Sequence, residues 1–152
     1  MAGKIGSFYV SGTDKIRPDL FSDFAEKIAR SLAEIKENPK NPRQPLKNGV
    51  SPTQIRRMFD EVKRYERLLS EDNSDSWEKQ YPYIKMMKSK VSYTVARAKK
   101  NHSKDAIYYD NLASFISEGI DLIKEQKDYH VFVSLFEAVY GFYYEVGVSL
   151  KD

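Results

Sequence analysis

The sequence predicts an all-α fold: one compact, single-domain bundle of about five helices, with the C-terminal helix buried at its centre. Three observations predict it. Apolar residues recur at three- and four-residue spacing in successive stretches. No run alternates apolar and polar residues long enough to argue for a sheet. In the last stretch, YHVFVSLFEAVYGFYYEVGV, apolar side chains occupy most directions of the wheel, as a helix enclosed by neighbours requires. The chain of 152 residues is 41% hydrophobic and 31% charged, which suits a globular domain with a sizeable core.

Residues 1–16 have no sustained period and hold three glycines, so they are expected to form a flexible N-terminal arm ahead of the helical domain of residues 17–150. Pro18 suits a first helical turn. Leu20, Phe21, Phe24, Ile28, Leu32 and Ile35 then predict a first helix ending near Asn38. NPKNPRQPLKNG follows; its prolines and asparagines make residues 38–50 an internal linker. In SPTQ, Ser51 suits an N-cap, Pro52 the first helical position, and Gln54 a reach back to the cap. The second helix runs to about Leu69, with Ile55, Met58, Phe59, Val62, Tyr65 and Leu69 as its apolar stripe. The polar string SEDNSDS breaks it.

A third helix is expected over about 79–100, with Pro82 in its first turn or at its start. A short NHSKD turn leads to a fourth helix over about 105–126, striped by Tyr108, Leu112, Phe115, Ile116, Ile120 and Ile123. The fifth spans about 129–149, with Asp128 as its cap. Phe132, Leu135, Phe136, Val139, Tyr140, Phe142, Tyr143 and Val146 cannot share one of its faces.

Composition excludes several classes of function. Without cysteine there are no disulfides and no thiolate metal sites. No apolar run approaches the ~18–20 residues of a membrane span. MAGKIGSFYVSG lacks the apolar core of a signal peptide, so a cytoplasmic protein is expected. Neither GxxxxGK nor GxGxxG occurs, and no cofactor is expected. Asp128 and His130 lack a third ligand, so no metal site is expected. Glu137 and Glu145 lie on the polar strip of the fifth helix, without the context of a catalytic pair.

Charge is the informative feature. The net charge is only +3, but residues 79–104, KQYPYIKMMKSKVSYTVARAKKNHSK, carry eight Lys and Arg and no Asp or Glu. Residues 105–152 carry three basic and nine acidic side chains. Local field, not total charge, attracts phosphates. On a wheel of the third helix, Ile84, Met87, Val91, Val95 and Ala98 take the core side. Lys85, Lys88, Ser92 and Lys99 take one flank. Met86, Lys90, Tyr93, Arg97 and Lys100 take the other flank and the outer face. Tyr93 among these cations either offers its ring to a base or packs inward. The second helix carries Arg56, Lys63 and Arg67 on one line and Arg57 and Arg64 on another, with Asp60 spaced to pair with Arg56 or Arg64. The candidate polyanion-binding set is therefore Arg56, Arg57, Arg64, Arg67, Lys85, Lys88, Lys90, Arg97, Lys99 and Lys100, and a nucleic-acid strand is the polyanion that an aromatic ring among cations suits. Pairing of these cations with the acidic C-terminal helices, or with another subunit, is the alternative.

One pattern points to catalysis. Arg97 and His102, in RAKKNH, have the Arg-x4-His spacing of HEPN ribonucleases, in which the Arg holds a phosphate and the His moves a proton. Ala98 departs from the polar residue usual after that Arg.

VSPTQIRRMFDEV (50–62), KSKVSYTVARAK (88–99) and FVSLFEAVYGFY (132–143), in this order and spacing, resemble the small α-helical subunit of type III-A CRISPR–Cas (Csm) effector complexes. The resemblance implies a non-catalytic role in antiviral defence. It implies a short filament of such subunits beside the backbone subunit and the large signature subunit, holding guide RNA and target RNA through backbone phosphates. On the matched positions, that role falls to Arg56, Arg57, Lys90 and Arg97. Phe132, Phe136 and Glu137 look architectural. A HEPN-like ribonuclease and a helical protein–protein adaptor remain the alternatives.

Overall fold

The computed structural model describes residues 3–70 and 76–147, so most of the SEDNSDS break lies outside the described residues. Helix α1 (Ala25–Arg30) follows a π-helical turn at Leu20–Phe24. A hairpin of β1 (Ala33–Lys36) and β2 (Leu46–Gly49) comes next, paired antiparallel from Ala33 opposite Gly49 to Lys36 opposite Leu46. Then come α2 (Pro52–Leu69), α3 (Ser76–Asn101), a 3₁₀ turn at Ser103–Asp105, α4 (Ala106–Leu122) and α5 (Gln126–Gly147). Five helices and one small sheet make a single all-α domain, as the apolar spacing predicted.

The N-terminal third departs from expectation. The first helix stops at Arg30, and its expected last turns form β1. Ser31 ends it: its hydroxyl bonds the Ile28 carbonyl, and the Leu32 carbonyl accepts from Val50 N–H at 2.8 Å instead of continuing the helix. Ile35, expected in the core stripe, is therefore exposed on the hairpin. The expected linker in turn supplies β2. Gly49 makes this pairing possible: its φ is +150°, and a Cβ there would lie 2.5 Å from the Ala33 Cα. Residues 3–16, expected as a loose arm, place Ile5 and Phe8 in the core, and Glu118 accepts from Ile5 N–H at 2.7 Å.

The later helices match the predicted stripes. Ile55, Val62, Tyr65 and Leu69 of α2 are buried, as are Ile84, Met87, Val91, Val95 and Ala98 of α3. Ser51 caps α2, accepting from Gln54 N–H at 3.2 Å, but the reciprocal half of the capping box is absent. Ser51 N–H instead donates to the Tyr109 hydroxyl. Pro82 lies at the seventh position of α3, not in its first turn. It leaves the Glu78 carbonyl without its helical donor, a loss near a helix start rather than in its middle. Asp128 is not the cap of α5 but lies in its first turn, reaching back to the Lys124 and Glu125 amides and accepting from the Tyr9 hydroxyl.

The core centres on α5. Phe115, Phe132 and Phe136 pack in a triangle of tilted and edge-on rings with centroids 5.7–6.1 Å apart. Gly119 lets α4 approach so closely that an added Cβ would sit 2.2 Å from the Phe132 ring. Two buried tyrosines of α5 anchor the flank of the bundle that carries the site. Tyr143 donates to the Val50 carbonyl at 2.5 Å and Tyr129 to the Val62 carbonyl at 2.6 Å. With Tyr109 on Ser51, they fix where α2 begins and how it lies on the core.

Candidate functional site

Helix α3 lies between α2 and α4 and presents a cationic flank to each. Toward α4 the cations find acids. Lys88 pairs with Asp121 at 2.6 Å and Lys99 with Asp110 at 2.8 Å, while Lys85 donates to the Ile120 carbonyl at 2.9 Å. The acid-free block is thus partly neutralised by the acidic C-terminal half, the alternative weighed for it above. Asp121 is held below the usual carboxylate range, chiefly by its hydrogen bond from Lys88.

Toward α2 the organising residue is Glu61, which the sequence did not single out. Its carboxylate pairs with Lys90 at 2.8 Å and with Arg64 at 3.6 Å. The Glu61 hydrogen bond raises the Lys90 ammonium above its ordinary pKa. Asp60, expected to serve Arg56 or Arg64, makes no ion pair among the described residues, because α3 stands on the Glu61 side. On the other flank of α2, Lys63 pairs with Glu66, and His130 of α5 lies 3.7 Å from the same carboxylate.

Once these pairs are set aside, Arg56, Arg57, Arg67, Arg97 and Lys100 make no ion pair with an acid among the described residues, and all five are exposed. Two of them meet across a cleft of about 370 Å³. Arg57 of α2 and Arg97 of α3 line it, with Tyr93, Asn101, His102 and Gln54. Its one acid, Asp105, accepts from Gly49 N–H at 3.1 Å and so braces the hairpin. A second hollow of about 260 Å³ continues between the helices toward Glu61, floored by Met58, Met87 and Val91.

Tyr93 does not pack inward: it is 64% exposed, and the Arg97 guanidinium lies 5.7 Å from its ring centroid. The structure also brings Arg97 and His102 to the same cleft. Wheel reasoning on α3 alone missed Gln54, which reaches the cleft from α2. It also missed Thr94 and Asn101, whose three- and four-residue spacing around Arg97 was the available signal.

The fold is a small helical bundle with two exposed arginines, Arg57 and Arg97, on one concave cleft; among the described residues no helix is long and apolar enough to cross a membrane. The sequence model of the Csm2 Type III-A family matches residues 17–146, and the chain belongs to that family, the small subunit of type III-A Csm complexes. No curated protein and no solved structure gives a significant match. Family membership implies association with other subunits of a Csm complex.

Proposed function

We propose that this subunit binds the guide–target RNA duplex through backbone phosphates, without catalysis, inside a cytoplasmic type III-A effector complex that serves antiviral defence. One observation carries the reading: Arg57 and Arg97 line the α2–α3 cleft, with Lys100 exposed one turn beyond Arg97, and none of the three makes an ion pair among the described residues, although the same bundle pairs neighbouring cations with acids. Arg56 and Arg67 extend the set along the outer face of α2. Lys88, Lys90, Lys99 and Arg64, held by acids, and Lys85, held by the Ile120 carbonyl, join only as secondary contacts: exposed pairs are worth at most about 1 kcal/mol, yet each must be broken before its cation meets a phosphate. Each copy meets few phosphates, so affinity in isolation is low, and several copies in a short filament beside the backbone and large signature subunits multiply it.

The test is fluorescence anisotropy with a labelled RNA duplex over a series of salt concentrations. Arg56→Ala, Arg57→Ala and Arg97→Ala each weaken binding whatever the base sequence, and each lowers the salt slope by about one. A base-dependent loss, or binding indifferent to salt, would falsify the phosphate reading. The ribonuclease alternative has its own observation in the shared Arg97–His102 cleft. It requires metal-independent cleavage of labelled single-stranded RNA that His102→Ala abolishes; intact RNA removes it. The adaptor alternative requires that the Arg variants weaken subunit assembly while leaving RNA binding unchanged.

A further inference from the structure

Phosphate contacts alone would need only a convex row of cations. The surface here is concave, and its lining is richer than charge. The cleft of about 370 Å³ falls within the roughly 300–1,000 Å³ typical of small-molecule sites. A duplex lies across such an opening and cannot enter it. A single unpaired nucleotide can.

We infer that this cleft is a pocket for one unpaired nucleotide of an RNA strand, with the phosphate held between Arg57 and Arg97 and the base set against Tyr93. Three features carry the assignment. Arg57 and Arg97 line the cleft from neighbouring helices with no acidic partner among the described residues, so an anion between them meets two charges at once. The Tyr93 ring is 64% exposed at the rim, already contacted by Arg97, and offers the aromatic surface on which an extruded base stacks. Asn101 and His102 add polar side chains within reach of a base edge or a ribose hydroxyl. An apolar interior would favour a hydrophobic ligand, and a purely cationic one an inorganic anion; an aromatic rim, paired guanidiniums and neutral polar groups together fit a nucleotide. The strand, rather than a free nucleotide, is the occupant because Lys100, exposed on α3 three residues beyond Arg97 and next to Asn101 of the cleft, offers a further charge to an adjoining phosphate.

The inference rests on the RNA reading above, and the experiment separates the two. Anisotropy at low salt compares a labelled continuous RNA duplex with the same duplex carrying a single-uridine bulge. The bulged duplex is expected to bind about tenfold tighter. In a Tyr93→Leu, Asn101→Ala double variant, both sites being exposed and so compatible with folding, its affinity falls to that of the continuous duplex. Free uridine monophosphate in excess leaves the bulged complex intact; displacement would overturn the strand as occupant. Equal affinity for the two duplexes, or a preference that survives the double variant, overturns the pocket and leaves phosphate binding standing. Binding to the bulged duplex alone overturns the duplex reading and keeps the pocket. Binding to neither overturns both.

Discussion

Removing one carboxylate should strengthen RNA binding. Glu61 holds Lys90 at 2.8 Å and Arg64 at 3.6 Å beside the α2–α3 groove. In Glu61→Gln both cations lose their internal counter-charge while the helix keeps a residue of the same length and similar propensity. Each freed cation that reaches a phosphate adds about 0.9 to the salt slope. At about 0.1 M salt that release is worth about 1.2 kcal/mol, an eightfold gain for one contact and about sixtyfold for two. The cost in stability is small, since Lys90 and Arg64 are 47% and 55% exposed and such pairs contribute about 1 kcal/mol or less. Thermal unfolding followed by circular dichroism should therefore drop by no more than about 4 °C. Anisotropy against a labelled RNA duplex, repeated across salt, reads the gain. An affinity and slope unchanged from the parent chain would refute the reasoning, because it would mean that this side of the groove meets no phosphate.

Other perturbations test the fold that holds the groove. Gly119→Ala drives a methyl to 2.2 Å from the Phe132 ring, which is itself locked against Phe115 and Phe136, so a loss of about 1–3 kcal/mol in urea unfolding is expected. Gly141→Ala, where nothing lies within 4 Å, should instead stabilise α5 by up to about 1 kcal/mol. Ser51→Ala removes the cap of α2 and should cost about 1 kcal/mol by the same measurement. Burial alone would raise the Asp128 carboxyl, but the Tyr9 hydroxyl and the Lys124 and Glu125 amides outweigh it and hold the group below the ordinary carboxylate range. Its contribution is therefore complete above the unfolded value near 3.9 and lost as pH falls through the folded one. In an acid titration followed by circular dichroism, Asp128→Asn should lower stability at neutral pH and flatten the acid limb of the curve.

The legible part of this protein is the part written in local periodicity. The stripes of α2, α3, α4 and α5 were readable because a long helix repeats its core face every three to four residues, and Ile84, Met87, Val91, Val95 and Ala98 obey that repeat throughout. The hairpin was not readable. Four residues per strand give too few alternations to outweigh the helical spacing of Leu32 and Ile35, and the pairing depends on Gly49 lying against Ala33, residues distant in sequence. The segment around Ile5 and Phe8 escaped for a similar reason: its anchors, Glu118 and Asp128, come from α4 and α5.

The helical class, the capped start of α2, the family and the acid-free block on α3 are all legible in residue order, because each is set by neighbours within a few positions or by residue type alone. Which of those cations remain free follows from how the helices pack. Pairing depends on what a neighbouring helix carries at a few ångströms, so Asp110 and Asp121 claim Lys99 and Lys88, and Glu61 claims Lys90 and Arg64. What remains, Arg57 and Arg97 lining one cleft rimmed by an exposed Tyr93, exists because α3 packs against both α4 and α2, while α2 packs on α5.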